Sequence, residues 1–392
     1  MTKRGPLAGL RVVEMAGLAP APFACMVLAD LGAEVLRVDR AKSGENGAYV
    51  VAPFGPSDVL GRGRRSVALD LKHPAAVDAV LAVVEEADVL VEGFRPGVME
   101  RLGLGPDVCL ARNPRLVYGR MTGWGGQGPL ALTAGHDIDY IAVAGALHLI
   151  GRPDDKPLPP ANLLGDFGGG GLLLAFGILA ALYERVGSGS GQVVDAAMVD
   201  GAALLTTMLH GLVHAGAWSD QRGTNLLSGV APFYTTYETA DGGYMAVGAV
   251  EPEFYRELLT RIGAADVDPD RQHDRSTWPA TTARFESIFR TRTRQEWATL
   301  LESSDACAVP VMSLTEAPGH PHNVARDAFV DVGGIVQPAP APRFGRTPPD
   351  APLPPRPSGG EGVEPLHDWG VPVEIVAALV AAGAAVVPAP VN

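Results

Sequence analysis

Short apolar runs that alternate with helix-like segments are the feature that most constrains the fold of this 392-residue chain. The first run, Leu10 to Met15, leads through the proline-rich turn Ala19 to Pro22 into a helix-like segment that ends at Gly32. Further strand-like runs follow at residues 33–38, 66–71, 88–91 and 115–121, with predicted helices over 73–86 and just before Gly103. Repeated βα units of this length predict an α/β fold with a mostly parallel sheet covered by helices.

The remainder of the chain predicts a second, smaller domain. Residues 233–238 and 244–250 flank Ala240 to Gly243, which is a strong signal for a β-hairpin. After residue 337 the chain is dense in proline and predicts an extended arm, and a last helix over 370–382 returns to the large domain. We therefore expect a large domain over 1–215, a small α+β domain over 216–330, and a segment over 331–392 that completes the large domain.

Composition and charge exclude several classes of function. The formal net charge of −13 argues against a nucleic-acid partner and against affinity for anionic membranes. No opening run is long and apolar enough for a signal peptide or a spanning helix, so we expect a cytoplasmic protein without a membrane partner. Three isolated cysteines, and a pair of histidines (His320 and His322) without a third ligand, predict neither a disulfide framework nor a metal site.

Positively charged side chains lie at or just after the ends of several predicted strands. No G-x-G-x-x-G follows any strand and no Walker lysine motif is present, so side chains would have to hold the phosphates of a ligand. Open α/β sheets bind ligands beyond the carboxyl ends of their strands, which is where Arg40, Lys72, Arg95 and Arg101 lie. Each could be a solvated surface charge, but four of them in an acidic chain favour one anionic ligand. Residues 61–65 (GRGRR) offer an alternative basic cluster at Arg62, Arg64 and Arg65.

His136 and Asp166 are a candidate acid/base pair, because helix starts can bring distant side chains to one cleft. Taken singly, the histidine could be structural and the aspartate a turn or N-cap residue. The four glycines after Phe167 could be a packing device, or could let a ligand approach free backbone N–H groups. Glu251 ends the second hairpin strand, where a carboxylate is also favoured simply by the start of a helix.

Six ordered blocks carry a resemblance to a known family. They are Leu31 to Val35, Glu92 to Gly97, Met121 to Gly125, Gly135 to Tyr140, Gly165 to Gly169 and Gln192 to Met198. With these blocks the chain resembles the family III CoA transferases and, within them, the α-methylacyl-CoA racemases. The similarity begins at Pro6 and extends to about residue 312.

The resemblance implies a Rossmann-like large domain, a small domain, and two chains interlocked as linked rings in a homodimer. It implies that His136 and Asp166 transfer protons and that Glu251 reaches the site from the partner subunit to support His136. The substrate would be an acyl-CoA thioester, with no separate cofactor. Residues at the positions that hold CoA in such enzymes are Arg40, Leu69, Asp70, Leu71, Lys72, Gly93, Phe94, Arg95, Pro96, Gly97, Arg101, Gly135, Asp137 and Tyr140.

The implied reaction interconverts (R)- and (S)-2-methylacyl-CoA thioesters by 1,1-proton transfer through an enolate, which needs two bases on opposite faces of one carbon. Fixed donors would stabilise the enolate oxygen, and the backbone N–H of Asp166 and its glycine-rich neighbours are the candidates. The alternative is a transferase in which Asp166 is a nucleophile that forms an anhydride. His136 favours the racemase, because the transferases need no second base. A non-enzymatic protein that only binds CoA esters would be expected to lack His136 or Asp166, and both residues are present.

The sequence leaves the acyl group open among branched fatty, bile-acid-like and polyketide chains. Phe23, Met198 and Met208 are candidates for the pocket wall, although apolar residues at such places are more often core. The loop Ala19 to Pro22 also departs from the glycine-bearing loop that is usual in the racemases.

Overall fold

The computed structural model describes residues 4–41 and 57–387. The chain forms two compact units: the first comprises Met1–Ala144, Pro160–Leu205 and Asp327–Asn392, and the second Gly145–Pro159 and Thr206–Arg326. Residues 145–159 and 206–215, which the sequence analysis placed in the large domain, fall in the second unit. The segment from residue 327 onward lies with the first unit, the one that contains the large sheet.

The helices and strands of the described residues are numbered in chain order. The first part of the chain forms β1 Arg11–Met15, α1 Pro20–Asp30, β2 Glu34–Arg40, β3 Arg65–Leu69, α2 Pro74–Glu85, β4 Val89–Glu92, α3 Val98–Arg101, α4 Pro106–Arg112, β5 Val117–Thr122, α5 Asp137–Val143, α6 Leu173–Ser188, β6 Val193–Ala197 and α7 Met198–Leu205. The second unit follows with α8 Thr207–His214, β7 Tyr234–Glu238, β8 Tyr244–Gly248, α9 Pro252–Ile262, α10 Trp278–Phe289, α11 Arg294–Leu301, β9 Ala308–Pro310 and α12 Pro321–Ala325. The chain then returns through β10 Phe329–Val332, β11 Ile335–Pro338, α13 Glu364–Asp368 and α14 Val373–Ala381.

Six strands form a parallel sheet in the order β3-β2-β1-β4-β5-β6. Val13 of β1 pairs with Leu36 of β2 on one side and with Leu90 of β4 on the other. This is the strand order of the doubly wound dinucleotide-binding folds, although the glycine fingerprint of those folds is absent from the sequence. The α/β class with a Rossmann-like large domain is therefore confirmed.

Separate hydrophobic cores cover the two faces of this sheet. Leu36, Leu90 and Tyr118 pack with α2, α14 and the fully buried Trp369. Val12 and Val35 point to the opposite face, where α1 and α6 cover them. Because both faces are buried, the central strands appear in the sequence as continuous apolar runs rather than as alternating ones.

The glycine run after Phe167 belongs to a π-helical segment, Leu163–Leu172, that continues directly into α6. A Cβ on Gly169 would lie 2.7 Å from the backbone nitrogen of Ala202, and one on Gly171 would lie 2.6 Å from the carbonyl oxygen of Pro20. The glycines therefore let α1 and α7 approach the segment closely. Of the two readings of this run, close packing is the one that the structure supports.

The same continuous helix, Leu163–Ser188, is long and apolar enough to cross a membrane by length and composition, with a mean hydropathy of 1.7. Core helices of soluble proteins pass the same test, and α6 packs its inner side against β5 and β6. Only 39% of its most apolar window is buried, however. Phe176 and Tyr183 on its outer side are 69% and 84% exposed in the single chain.

The proline-rich arm covers the outer edge of the sheet. Gly63 donates its N–H to the carbonyl oxygen of Leu353 (2.8 Å), and Gly359 donates its N–H to the Ser66 hydroxyl (2.8 Å). Arg65, the first residue of β3, bonds to Glu361 and Asp368. An extended arm at this position protects an edge strand that would otherwise expose unpaired backbone groups.

The second unit contains the predicted hairpin. β7 and β8 pair antiparallel, with Tyr237 opposite Met245, and β9 adds a third strand. Its core is largely aromatic, and the rings of Tyr237 and Phe289 stack 5.0 Å apart. An antiparallel sheet with α9, α10 and α11 packed on it is the α+β architecture expected for this part of the chain.

Candidate active site

The residues predicted to hold CoA follow β2, β3 and β4 on the carboxyl-end side of the sheet, where β2 and β3 are adjacent and β1 lies between β2 and β4. Arg40 is the last residue of β2, Leu69 is the last of β3, and Gly93 to Gly97 form the turn between β4 and α3. The N–H of Ala41 donates to the carbonyl oxygen of Leu69 (3.0 Å), which joins the first two of these ends. Because the strands are parallel, their carboxyl ends form one continuous rim.

Two groups of positive side chains differ sharply in this region. Arg40, Lys72, Arg95 and Arg101 are exposed, and none of them forms an ion pair within residues 4–41 and 57–387. Arg62 is buried against Asp30 (2.5 Å) and Gln337 (2.7 Å), and Arg64 is buried against Glu14. The alternative cluster at Arg62, Arg64 and Arg65 is therefore wrong, because the protein itself neutralises these guanidinium groups.

The turn after β4 is held by a hydrogen-bond network around Glu92 and Arg120 that was not predicted from the sequence. Glu92 is buried; its Oε2 accepts the N–H of Phe94 (2.8 Å) and its Oε1 accepts Nε of Arg120 (3.0 Å). Arg120 also donates from Nη2 to Glu100 (2.8 Å), one residue before Arg101. Burial raises the pKa of Glu92, while the bonds from Phe94 and Arg120 oppose the rise. A charged residue that ends a buried strand is the sequence signal that could have indicated this role.

The conformation of this turn brings Arg101 back over it. Gly97 precedes α3 with a φ of 82°, in the left-handed region that favours glycine. A Cβ at Gly97 would lie 3.2 Å from Nη1 of Arg101. Just before Gly97, Arg95 is exposed and Pro96 is half-buried, so the turn presents a cation to solvent.

The end of β3 is fixed from the far end of the chain. The N–H of Asp70 donates to the carbonyl oxygen of Ala384 (2.8 Å), and Leu69 forms an isolated antiparallel bridge with Ala385. Leu69 itself is fully buried, whereas Leu71 is half-buried and Lys72 is exposed. Of the predicted residues 69–72, only the last three can therefore present side-chain surface to a ligand.

His136 lies at the N-cap of α5 with an exposed side chain. Its backbone N–H donates to Oδ2 of Asp139 (2.9 Å), which fixes the start of the helix. Tyr140 on the next turn is buried and donates its hydroxyl to the carbonyl oxygen of Gly135, and its ring meets Trp124 edge-on at 4.8 Å. Burial, with Asp166 and Asp139 nearby, raises the pKa of Tyr140 to about 12. Gly135 and Tyr140 thus brace the backbone on both sides of His136.

Asp137 connects the histidine to the aspartate of the candidate pair. It directly follows His136, its side chain is buried, and its Oδ2 accepts the N–H groups of Gly165 (2.6 Å) and Asp166 (2.7 Å). The start of α5 and the π-helical segment are therefore joined by two charge-assisted hydrogen bonds. The family resemblance implies that Asp137 holds CoA, whereas in the structure Oδ2 of its carboxylate holds the backbone of Asp166.

Asp166 is half-buried, and four effects act on its carboxyl group. Burial raises its pKa most, the hydrogen bond from Asn162 Nδ2 (3.0 Å) lowers it, the charge of Asp137 raises it, and His136 lowers it. The net pKa is above the ordinary value for an aspartate. His136 and Asp166 are thus close enough to influence one another electrostatically.

The candidate donors for an enolate oxygen need a correction. The N–H of Asp166 already donates to Asp137, so it is not free in the structure. The glycines that follow it are enclosed by α1 and α7 rather than open to a ligand. The expectation failed because a glycine run looks the same in sequence whether it admits a ligand or a neighbouring helix.

Glu251 lies in the second unit as the N-cap residue of α9, and its side chain is exposed. It lies close enough to Cys307 to help raise the pKa of that thiol, for which burial is the main cause. Support of His136 by Glu251 stays a prediction. Of the candidate wall residues, Phe23 packs against Phe167 with ring centroids 4.7 Å apart, Met198 is buried and Met208 is exposed.

Comparison with known proteins places these features in a family. The family model described as CoA-transferase family III matches residues 7–362. The chain is 47% identical over 367 residues to the alpha-methylacyl-CoA racemase of Mus musculus, covering 93% of each chain. It is 45% identical over 343 residues to the alpha-methylacyl-CoA racemase of Homo sapiens, covering 87% of each chain.

A solved structure agrees with this assignment. The CAIB/BAIF family protein from Brucella suis superposes with a TM-score of 0.80 at 26% sequence identity, covering 93% of this chain and 100% of that one. The two mammalian relatives are enzymes by name, which confirms the expectation of an enzyme. This chain therefore belongs to the family III CoA transferases.

Proposed function

We propose that this enzyme interconverts the two configurations at C2 of 2-methylacyl-CoA thioesters by a two-base proton transfer. One observation carries the proposal: Asp137, the residue after His136, accepts the backbone N–H groups of Gly165 and Asp166. The two candidate bases are thereby held on neighbouring, mutually fixed segments. The racemase names of the two mammalian relatives, at 47% and 45% identity, support the same reaction.

The environments of the two bases suit their roles. A proton must leave C2 on one face and return on the other, so each base must be able to accept and to donate near neutral pH. Imidazole is a side chain that can both accept and donate a proton near neutral pH. An ordinary aspartate cannot, and burial together with the charge of Asp137 raises the pKa of Asp166 towards that range. In one direction His136 takes the proton and Asp166 supplies one to the enolate, and in the other direction the roles reverse.

The CoA portion would lie along the rim formed by the ends of β2, β3 and β4. Arg40, Lys72, Arg95 and Arg101 are exposed cations there, as phosphate contacts need to be. The backbone of Gly93 to Gly97, held by Glu92, would lie against the nucleotide or the pantetheine arm. No separate cofactor takes part in this scheme, because CoA arrives and leaves with the acyl group.

We further propose that the enzyme is a homodimer in which Glu251 of the partner supports His136. The outer side of α6 favours an intermolecular contact, since Leu172, Phe176, Tyr183 and Val186 leave a long apolar stripe exposed in the single chain. Burial of such a stripe against a second copy would remove it from water. The same stripe accounts for the membrane-like composition of this helix without a membrane.

The alternative function is CoA transfer between carboxylic acids, with the Asp166 carboxylate as nucleophile. The family name and a half-buried carboxylate at this position both favour it. His136 argues against it, because a nucleophilic mechanism needs no second base aimed at the same carbon. Release of free 2-methyl acid from the thioester in the presence of an acceptor acid would identify the transferase.

Deuterium exchange tests the proposal directly. Wild-type protein incubated with a 2-methylacyl-CoA in deuterated water should introduce deuterium at C2 and racemise that carbon. His136→Ala and Asp166→Ala should each lower the rate of racemisation by about 10²- to 10⁴-fold, the usual contribution of a positioned acid or base. His148→Ala and Asp154→Ala replace exposed residues of the same types in the second unit and serve as matched controls. Racemisation at near wild-type rates in either of the first two variants would remove that residue from the mechanism.

Complementation tests the shared site. His136→Ala and Glu251→Ala chains, expressed together, would form heterodimers with one doubly altered site and one intact site if Glu251 acts across the dimer. Activity in the mixed sample should then exceed that of both parents. A mixed sample no more active than its parents would show that each site is built within one chain.

A further inference from the structure

The chain just before Glu251 leaves the small sheet without a neighbouring strand. The N–H of Gly248 still donates to the carbonyl oxygen of Cys307 (2.8 Å), but the pairing of β8 with β7 and β9 ends at or before this residue. Ala249 is fully buried and Val250 is half-buried. Their carbonyl groups therefore need donors from outside the sheet, because an unpaired carbonyl group in a protein interior is costly.

One buried side chain supplies both donors. Gln272 is only 4% exposed, and its Nε2 donates to the carbonyl oxygens of Ala249 (3.0 Å) and Val250 (2.9 Å). A primary amide carries two hydrogens on one nitrogen, so it can meet two consecutive carbonyl groups at once. The two acceptors also fix the orientation of the amide, because its own oxygen would be repelled in that place.

The protein holds this amide firmly although half of it is unused. Oε1 of Gln272 is buried and has no hydrogen-bond partner among the described residues, which is an unfavourable state for an acceptor. The carbonyl oxygen of Gln272 accepts Nε1 of the buried Trp278 (2.9 Å), whose ring meets Phe233 edge-on at 5.8 Å. The aromatic core of the second unit thus anchors the residue that holds the backbone ahead of Glu251.

The chain after Glu251 is fixed as well. Glu251 has an extended backbone (φ −75°, ψ 144°) and is followed by Pro252, the first residue of α9. A residue before proline favours this conformation. The carbonyl oxygen of Glu251 accepts the N–H of Tyr255 (3.0 Å), which is buried in the same aromatic core. The backbone of Glu251 is therefore constrained on both sides.

The side chain of Glu251 makes no use of this rigid support within its own helix. It is exposed and forms no capping hydrogen bond to α9. A carboxylate that only meets water gains nothing from a fixed backbone. One that must meet an imidazole does, because a displacement of about 1 Å from the productive geometry can lower a rate by about 10²-fold.

We propose that Gln272 is a positioning residue, which holds the peptide groups of Ala249 and Val250 so that the Glu251 carboxylate is directed at the histidine it supports. The proposal rests on the function proposed above, in which Glu251 of one subunit supports His136 of the other. Gln272 acts through the backbone and takes no part in the proton transfer itself.

A double-mutant cycle separates positioning from a general loss of stability. Gln272→Met keeps the length of the side chain and removes both donors. It should lower kcat for deuterium wash-in at C2 about tenfold, with KM for the acyl-CoA within about twofold of wild type. In a Glu251→Ala background the same change should lower kcat less than about twofold, since no carboxylate then remains to be directed. An equal factor in both backgrounds, or no fall in the wild-type one, would overturn the proposal.

Trp297→Phe is the matched control. Nε1 of Trp297 donates to the carbonyl oxygen of Phe289 (2.8 Å), so this variant also leaves a buried carbonyl group of the second unit without its side-chain donor. It acts on stability alone, so its factor should be the same in both backgrounds. A control that lost its effect in the Glu251→Ala background would show that any loosening of the unit acts through Glu251, and Gln272 would have no special role.

A milder variant covers the case in which Gln272→Met does not fold. Gln272→Asn keeps the amide on a shorter side chain, which cannot reach both carbonyl groups. It should give a smaller fall in kcat that again disappears in the Glu251→Ala background. A fall that persisted there would count against the proposal as it would for Gln272→Met.

Cys307 gives a readout that does not depend on racemisation. Its thiol is exposed, whereas Cys25 and Cys109 are buried, so alkylation should report on Cys307. Burial raises the pKa of this thiol most, and the charges of Glu251 and Asp305 raise it further. The pH midpoint of its alkylation should therefore fall when Glu251 is replaced by alanine.

The same midpoint should respond to Gln272. Gln272→Met releases Glu251 from its fixed place and should move the midpoint in the direction of the Glu251→Ala value, while Trp297→Phe should leave it unchanged. A midpoint that moved in Glu251→Ala but not in Gln272→Met would show that the carboxylate stays in place without the amide, and the proposal would be dropped.

The outcomes distinguish this proposal from the function on which it rests. Wash-in by the wild-type enzyme together with an additive cycle would overturn the role of Gln272 alone. Wild-type rates in Glu251→Ala would remove Glu251 and Gln272 together, and leave the proton transfer by His136 and Asp166 standing. Absence of wash-in in the wild type would overturn the racemase function itself, whereas the thiol midpoint would still decide whether Gln272 fixes Glu251.

Discussion

Two groups of arginines lie around the same three strands, and their environments are opposite. Arg40 ends β2 in solvent, while Arg37, three residues earlier in that strand, is buried between Asp39 and Asp58. Arg95 and Arg101 are exposed after β4, while Arg62 and Arg64 before β3 are buried against Asp30 and Glu14. A buried cation needs an anion from the protein, because desolvation would otherwise outweigh any gain. An exposed cation without such a partner can meet an anion that comes from outside.

The comparison therefore separates arginines that build the fold from arginines that can bind the substrate. If it is right, substitutions in the first group should act on stability and substitutions in the second on CoA affinity. Arg120, which helps to hold the turn that carries Arg95, should show a smaller effect on affinity through the shape of that turn. The predictions below test this division, beginning with the largest expected effect.

The largest effect is expected for Arg62→Met. Arg62 pairs with Asp30 through two contacts (3.0 and 2.5 Å) and also ties down Gln337 and the carbonyl oxygen of Pro338. Removal of one partner of a buried ion pair costs about 3–5 kcal/mol. Chemical denaturation should show this loss, whereas Arg40→Met should stay within about 0.5 kcal/mol of wild type. Equal free energies of unfolding for the two variants would contradict the division.

The next effect concerns the exposed group. Arg40→Ala and Arg101→Ala should each weaken CoA binding by about 1.5–3 kcal/mol, the usual contribution of a hydrogen bond to a charged group. Titration calorimetry at two salt concentrations should also show a weaker salt dependence, since a phosphate contact is lost. Arg112→Ala, at an exposed arginine that pairs with Glu85 on α2, is the matched control and should bind CoA normally. Unchanged affinity in both of the first variants would place the phosphates elsewhere.

A smaller effect is expected for Arg120→Met. Arg120 bonds to Glu92 (3.0 Å) and to Glu100 (2.8 Å), so its loss loosens the turn Gly93 to Gly97 without removing a ligand contact. We expect KM for the acyl-CoA to rise about fivefold, close to 1 kcal/mol, with kcat within twofold of wild type. Arg120→Lys should recover part of the loss. A fall in kcat with KM unchanged would instead connect Arg120 to the chemical step.

The smallest effect is a gain in stability for Asp166→Asn. The pKa of Asp166 is raised in the folded state, so its protonated carboxyl group favours folding. This contribution to the free energy of unfolding is fully present below the unfolded-state pKa and is lost as pH rises through the folded-state pKa. At neutral pH the ionised aspartate thus weakens the fold slightly, and asparagine avoids this cost. Melting curves should show a small advantage for the variant at pH 7 that vanishes on acidification. An advantage that grew on acidification would mean that the pKa is lowered instead.

The sequence by itself determined the α/β class, the positions of Arg40, Lys72 and Arg95 at or just after strand ends, and the β7–β8 hairpin of the small α+β region. Arg101, expected at a strand end as well, instead ends α3. These features depend on local rules. Alternation of strand-like and helix-like runs specifies βα units, and the parallel order then brings the carboxyl ends of the strands to one edge. The candidate pair His136 and Asp166 could also be named from the sequence, because both lie in short, specific blocks.

Only the tertiary structure decided which of these polar groups are engaged by the protein. Nothing local distinguishes Arg64 from Arg40, since burial depends on the strands and helices that pack around each of them. The carboxylate of Asp137 meets the N–H of Asp166 across 29 positions of sequence, and the glycines after Phe167 meet α1 and α7 rather than a ligand. Local sequence sets the order of helices and strands, but the partners of a polar group are fixed only when distant segments pack together.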